Sequence, residues 1–319
     1  MLKLVFLGCV SGAPSARHFT SSMALIYNSR IYLFDCCEGA TKQLRAAGLS
    51  LHKIRAVFIS HFHGDHYLGL PGLIMSMALL NRTSPLRIYG PPGTTSFVQH
   101  LLLSGYFELT FRLEIVELPL ERARIHEEKE FWVEAFPVQH GIPALGYIFR
   151  EKPKFRISLE KARLLGLEPG PLLGKLKAGE AVQVNGRIVL PEEVLEDTRS
   201  DISLLYSGDT LPLDYGYPFD VVVHEATFTS RHADLAKERF HSTAAEVAQI
   251  ARKNSVQLLV LTHFSQRYEE SNFREILEEA KKYFEPTVLA EDLLVLELKK
   301  RFGKLEWSVH RPGSLVPLV

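Results

Sequence analysis

Sulfur is scarce in this sequence, and neither sign of charge prevails. Only three cysteines occur, Cys9, Cys36 and Cys37. A disulfide framework needs more than these, and adjacent Cys36 and Cys37 are poorly placed to bridge each other. A disulfide-stapled secreted scaffold is thereby excluded, and reduced thiols in a cytoplasmic protein are the expectation. Lys+Arg and Asp+Glu balance at 37 each, so any contact with nucleic acid has to run through a local basic patch. Long apolar runs are missing as well. None approaches the roughly 20 residues that a membrane-spanning helix needs, and no membrane association is expected. The opening MLKLVFLGCV ends its apolar run at Gly8 without a small-residue cleavage pattern, so it reads as a first strand rather than a signal peptide. Repeats and low-complexity tracts are absent too.

What is present is an ordinary globular composition: 319 residues, 46% hydrophobic and 23% charged, enough for one large α/β domain or two smaller ones. Strands are expected at 2–7, 23–28 and 30–35, then a helix from Gly39 to Ala47 with Gly48 terminating it. The apolar run 56–60 reads as a buried strand that leads directly into His61. A helix near 68–80, a strand at 86–89 and a helix from Thr94 to Leu103 follow, then strands near 113–118, 123–127, 131–138 and 144–149. From 150 to 199 the texture changes. Residues 150–177 carry eight Lys/Arg against three Glu, and 178–199 carry two Arg against five acidic residues. An insertion of this length with its own charge polarity reads as a flexible, protruding arm over 151–197. Strands return at 202–206, 219–223 and 256–262, alternating with amphipathic helices near 242–253 and 273–283. A strand at 293–298 closes the regular structure and leaves 299–319 as a C-terminal tail. Strands in runs, then alternating with helices, imply an α/β sandwich with helices on its outer faces, 1–150 and 198–298 forming one domain.

The chemistry concentrates in SHFHGDH, where His61, His63, Asp65 and His66 fall within six residues directly after a buried strand. In an extended loop alternate side chains point the same way. His61 and His63 can then reach one metal ion while Asp65 and His66 turn toward a second, with Gly64 permitting the tight path. Zinc takes about four ligands, so these residues cannot complete two coordination spheres, and the remaining ligands are sought at other strand ends. His140 follows strand 131–138 in FPVQHG. Asp209 follows strand 202–206 in YSGDT, where Gly208 lets the backbone turn. His263 ends strand 256–262. His18, His52, His100, His126, His232 and His310 lack such a context and read as surface or loop residues. From local sequence alone, Glu225 is an acid near a helix start and His241 precedes a helix beginning at Ser242-Thr243.

On these motifs the chain resembles the metallo-β-lactamase superfamily: FDCCEG (34–39), SHFHGDH (60–66), His140, SGDT (207–210) and THF (262–264). Within it, HEATF (224–228), HST (241–243), THFSQRY (262–268) and the Gly-Pro segment GPLLGKLKAG (170–179) are similar to the ribonuclease Z family, over about residues 3–298. The resemblance implies an αββα sandwich carrying two zinc ions per subunit, with Mn2+ or Mg2+ as substitutes. His61, His63 and His140 would hold one ion, Asp65, His66 and His263 the other, and Asp209 would bridge them. Asp65 would orient the attacking water and take its proton. Glu225 and His241 would assist proton transfer, the carboxylate fixing the imidazole's tautomer and favouring its protonated form.

The implied reaction removes the 3′ trailer from tRNA precursors, leaving a 3′-hydroxyl on the tRNA and a 5′-phosphate on the trailer. It implies a homodimer in which one subunit's arm serves the other's site. The arm's basic half (Arg150, Lys152, Lys154, Arg156, Lys161, Arg163, Lys175 and Lys177) would neutralise phosphates, with Lys175 and Lys177 in the Gly-Pro segment as candidate substrate contacts. One loop departs from the family pattern Pro-x-Lys-x-Arg-Asn: Ala16, His18 and Phe19 stand at its Lys, Arg and Asn places, which bears on how a CCA end is handled. Cys37 stands where glycine is usual. The nearest rival is a phosphodiesterase or sulfatase of the same fold acting on small molecules, which needs no basic arm. A di-iron redox module would replace some of the histidines by acids, and a purely RNA-binding protein would not need every ligand.

Overall fold

Alternation along the first strand sets the architecture. In Leu2–Gly8, Leu2, Leu4 and Phe6 enter one apolar cluster while Val5 and Leu7 enter another on the opposite face. A strand buried on both faces requires a layer on each side. A computed structural model, which describes residues 2–103, 105–153, 155–197 and 201–311, supplies both layers. The first sheet has eight strands in the order Lys304–His310, Val295–Arg301, Leu2–Gly8, Ser22–Tyr27, Arg30–Phe34, Ile54–Phe58, Leu86–Gly90 and Leu113–Glu117. Pairing is antiparallel as far as Arg30–Phe34 and parallel from there on. The second sheet has seven. Thr287–Leu289, Leu258–Thr262, Val221–Glu225 and Ser203–Tyr206 run parallel, and Leu145–Glu151, Phe131–Pro137 and Ala123–Glu127 continue antiparallel.

The larger core joins side chains of both sheets, Leu4, Phe34 and Phe58 from the first with Val133, Tyr147 and Leu205 from the second. On the other face of the first sheet, helices Ala40–Ala46, Leu70–Leu79 and Thr94–Leu102 bury Leu44, Leu73, Ile74, Met77 and Val98. Helices Ala244–Lys253 and Arg274–Lys281 pack beside Leu258–Thr262 and Thr287–Leu289 through Val247, Ala248, Ala251, Ile276 and Ala280. The fold is an αββα sandwich. Among the described residues, no helix is long and apolar enough to cross a membrane.

Four expectations change. The SHFHGDH run is extended only as far as His63, because Gly64–Tyr67 forms a helical turn closed by Leu68 N–H to the Gly64 carbonyl. The residues after 299 are not simply a tail. Val295–Arg301 and Lys304–His310 form a hairpin across a two-residue turn, Phe302 at φ 51° and Gly303 at φ 82°, a geometry suited to the right-handed strand twist. Residues 312–319 lie outside the described part. His126 is not on the surface: it is buried against Tyr32, Phe58 and Tyr89 and hydrogen-bonds the Tyr89 hydroxyl at 3.1 Å. The insertion, read as a flexible arm, has a small core of its own. Ala162, Leu167, Leu173, Leu176, Val182, Val189 and Val194 are buried together between short helices and strands.

Arg82 ties the segments that lead into two strands of the first sheet. Fully buried, it donates to the carbonyls of Leu51, His52, Ile54, Ser84 and Pro85. Arg82→Met should lower stability by about 3–5 kcal/mol in urea unfolding, because the carbonyls lose their donors. Arg82→Lys should recover only part, since an ammonium cannot reproduce the planar fork. Wild-type stability in both variants would contradict this reading.

Candidate metal centre

The candidate donors emerge where strands stop. Ile54–Phe58 runs on through Ser60 to His61, Phe131–Pro137 to His140, Ser203–Tyr206 to Asp209, and Leu258–Thr262 to His263. Glu225 ends its own strand and pairs in register with Thr262, next to His263. The carboxyl ends of parallel strands are where side chains of an open α/β sheet reach a ligand. The two sheets approach closely here. Gly208 has φ +61°, and a Cβ on it would lie 2.7 Å from the Ser60 Cβ. Only glycine lets the Asp209 loop pass so near the segment that carries His61.

Four of the five imidazoles are each oriented by a bond at the nitrogen facing away from the centre. Asp35, held at φ 59°, accepts the Ser60 N–H (2.7 Å), the Ser60 hydroxyl (2.9 Å) and the Tyr206 hydroxyl (2.7 Å). Its carboxylate also lies 2.8 Å from His66 Nδ1, which must therefore carry the proton. Because the Ser60 hydroxyl donates to Asp35, it accepts from His61 Nδ1 at 3.0 Å. Thr227 repeats the device: its hydroxyl donates to Glu225 (2.8 Å) and accepts from His263 Nδ1 (2.9 Å). His140 Nδ1 donates to the Phe240 carbonyl at 3.1 Å. In these four rings the proton sits on Nδ1 and the Nε2 lone pair is left facing inward.

Those lone pairs face one another. His63 Nδ1 lies 3.1 Å from His61 Nε2 and 3.1 Å from His140 Nε2. His66 Nε2 lies 3.3 Å from His263 Nε2, and Asp65 Oδ2 is 3.5 and 3.3 Å from those two nitrogens. Asp209 Oδ2 stands between the groups, 3.6 Å from His61, 3.4 Å from His66 and 3.2 Å from His263. Acceptor atoms at these separations repel unless a cation lies among them. Metal–nitrogen bonds of about 2.0–2.1 Å in a tetrahedron give ligand edges of about 3.3 Å. The residues present therefore fit two ions, His61, His63, His140 and Asp209 around one and Asp65, His66, His263 and Asp209 around the other.

Charge follows the geometry. Burial resists ionisation of Asp65, yet before any ion binds, protons on His66 and His263 would take the ion's place and hold the carboxyl well below the usual range. Burial opposes Asp209 likewise, and His263 and His66 overcome it. Burial pushes the His61 pKa down, assisted by His66. Beside the cluster, His241 Nδ1 meets Glu225 Oε1 at 2.9 Å. Glu225 is buried and also accepts the backbone N–H groups of Thr210, Thr227 and Ser242. Burial alone would lower the His241 pKa, but the Glu225 carboxylate outweighs it and lifts it to about 9. Thr243 then caps the following helix in a capping box with Glu246, so HST serves both helix start and site.

All seven candidate metal ligands and the Glu225–His241 pair thus come together, whereas Lys175 and Lys177 lie elsewhere, exposed on helix Pro171–Lys177 of the insertion. Sequence reasoning singled out neither Ser60, Tyr206 and Thr227 nor the orienting role of Asp35. Asp35 carries the same signal as the ligands, a polar residue just after a buried strand; Thr227 carries none.

Fold and site together define a metallo-β-lactamase-fold hydrolase with places for two cations. The family described as anti-Pycsar protein Apyc1 matches residues 2–141, a stretch that stops before Asp209, Glu225, His241 and His263. Whole-length similarity points more narrowly. A ribonuclease Z of Methanothermobacter thermautotrophicus is 41% identical, with 94% of this chain and 97% of the relative covered. One of Methanosarcina mazei is 40% identical, with 94% and 99% covered. The crystal structure of the short form of human tRNase Z superposes with a TM-score of 0.65 at 26% identity, covering 92% and 98% of the two chains. The chain belongs to the ribonuclease Z family of metal-dependent endoribonucleases.

If the Asp35 carboxylate sets the His66 tautomer, Asp35→Asn should weaken metal binding about 10–100-fold in a competitive chelator titration while the far-ultraviolet dichroism stays native. Undiminished affinity would show that Asp35 serves only the fold.

Proposed function

We propose that the chain is a zinc-dependent endonuclease that cuts the 3′ trailer from tRNA precursors, working as a cytoplasmic homodimer. The observation that carries this reading is the Glu225–His241 pair beside the seven-donor cluster. It supplies a proton donor next to the place where metal ions would hold a phosphodiester. The relatives' names, ribonuclease Z and tRNase Z, supply the substrate. Three buried, unbridged cysteines agree with a reducing compartment.

Bound zinc ions would activate a water and offset the charge growing on the phosphate oxygens. Asp65, held by the Gly12 N–H at 2.7 Å, orients that water and accepts its proton. As the phosphorus–O3′ bond breaks, the leaving oxygen takes a proton from His241. With Nδ1 committed to Glu225, the proton to be given up sits on Nε2. The His241 ring lies 5.3 Å from both the His140 and His263 rings, at the margin of the cluster, where a leaving group can meet it. The tRNA keeps a 3′-hydroxyl and the trailer a 5′-phosphate.

The insertion would hold the tRNA body. Much of its basic half is already engaged: Arg150 stacks on Tyr217 and Phe219, Lys152 pairs with Glu127, and Arg156 and Lys161 approach Glu196. Lys154 lies outside the described residues. Among the described residues, Arg163, Lys175 and Lys177 have no acidic partner, so phosphates would fall to them. Lys175 and Lys177 lie two positions apart on one short helix, about 200° apart around its axis, so they would reach different phosphates.

Purified protein incubated with 3′-extended tRNA precursors, with and without an encoded CCA and a chelator, should make one chelator-sensitive cut near the end of the acceptor stem. Hydrolysis of small phosphodiesters with no such cut would favour the small-molecule enzyme instead. His241→Ala should lower turnover at least 100-fold with metal content intact, a range expected for a general acid; loss of metal would make His241 a ligand. Deleting 152–196 should spare hydrolysis of a small phosphodiester and abolish precursor cleavage. Equal survival of both activities would remove the insertion from substrate binding.

A further inference from the structure

Outside the seven-donor cluster, the described residues bring a thiol, an imidazole and a carboxylate together beneath the loop that follows the first strand. Cys9 Sγ lies 3.4 Å from Asp292 Oδ1, and His18 Nδ1 lies 3.8 Å from the same oxygen. The three donor atoms all lie within 4.8 Å of one another. Cys9 has no exposed surface, and the His18 and Asp292 side chains expose only 17% and 15% of theirs. A separate observation points the same way. His18 Nδ1 is buried without a hydrogen-bond partner, while its ring is held edge-on by Phe273 at 5.3 Å. A buried ring nitrogen left unpaired is an unusual expense for a folded chain unless something else meets it.

The donor set fits a tetrahedral ion. Bonds of about 2.3 Å to sulfur and about 2.0–2.2 Å to nitrogen and oxygen give ligand edges of about 3.3–3.6 Å. The 3.4 Å separation already matches, the 3.8 Å one is slightly long, and sulfur and nitrogen lie within 4.8 Å of each other, so His18 would close on the ion as it binds. Asp292 is oriented for the task, since its other oxygen accepts the Phe19 N–H at 2.8 Å and leaves Oδ1 directed at the thiol and imidazole. A thiolate, a carboxylate and a neutral imidazole around a divalent ion sum to zero charge, which suits a site largely withdrawn from water. Sulfur among the ligands selects zinc or a similar borderline ion over magnesium or calcium.

We propose that Cys9, His18 and Asp292 form a third divalent-metal site, separate from the seven-donor cluster. Binding releases the Cys9 proton to solvent, and three protein ligands leave a fourth position for water. The site bolts the loop to Asp292, just ahead of strand Val295–Arg301. That same loop supplies the Gly12 N–H to the Asp65 carboxylate and the Thr20 hydroxyl to the Asp65 carbonyl, so the ion would steady Asp65 from outside the reaction centre. The inference rests on these side chains and stands whether or not tRNA is the substrate.

Cobalt(II) distinguishes the two kinds of site. The seven-donor cluster contains no sulfur, so a thiolate-to-cobalt charge-transfer band in the near ultraviolet reports a cysteine ligand alone. Full-length metal-free protein titrated with cobalt should bind three ions per chain and develop the band. Cys9→Ser and His18→Ala should each bind two ions and lose the band, and the Cys36→Ser/Cys37→Ser double variant should keep it. The wild-type spectrum and the double variant read the site even if a Cys9 variant folds poorly. Two ions without a band, a third ion without a band, or a band that survives Cys9→Ser overturns the assignment.

Discussion

Five imidazoles and two carboxylates held with their acceptor atoms facing one another are unfavourable without positive charge among them, and much of the fold around the site exists to impose that arrangement. The nitrogens stand 3.1–3.3 Å apart within each group. What keeps four of the five rings there is the set of bonds at the opposite ring nitrogens, made by Ser60 to His61, Asp35 to His66, the Phe240 carbonyl to His140 and Thr227 to His263. Loss of any one of these partners would free a ring to rotate or to change tautomer, and the inward lone pair would go with it. The polar shell therefore stores the metal preference before any ion arrives.

Two sheets are needed to build that shell. The first brings Asp35 and the His61–His66 run, and the second brings His140, Asp209, Glu225 and His263. The contact of Gly208 with Ser60 sets how closely the two meet. Buried packing between the sheets, with Phe34 against Tyr206 and Phe58 against Tyr147, fixes their spacing and so transmits the apolar core to the donor geometry. Tyr206 belongs to both, its ring in the core and its hydroxyl on Asp35.

Much of this was legible in the sequence because strand ends are legible. An apolar run followed at once by His or Asp marks a side chain carried to a sheet edge, and that pattern located His61, His140, Asp209 and His263 from local information. The helical turn at Gly64–Tyr67 was not legible, since four residues carry no period and the turn is held by partners such as the Cys36 N–H on the His66 carbonyl. Thr227 escaped notice because its role depends on Glu225 and on His263 36 residues away, which no local pattern joins. The C-terminal hairpin was missed for a different reason: Phe302-Gly303 lacks the usual Asn-Gly signature, and Leu305 is the only fully buried side chain of its edge strand. In the insertion, charge polarity masked a small apolar core whose members are scattered from Ala162 to Val194.

The resemblance supplied the proposed roles of Glu225 and His241, and the geometry is consistent with that proposal: a buried carboxylate with three backbone N–H donors holds a histidine in its charged form beside the cluster. Everything in this account depends on the seven donors holding two ions at once. Anomalous scattering from zinc-loaded crystals, recorded on either side of the zinc absorption edge, tests that directly. Two peaks about 3.5–4 Å apart should appear within the cluster, one enclosed by His61, His63 and His140, the other by Asp65, His66 and His263, with Asp209 touching both. A single peak there, or none, would contradict it.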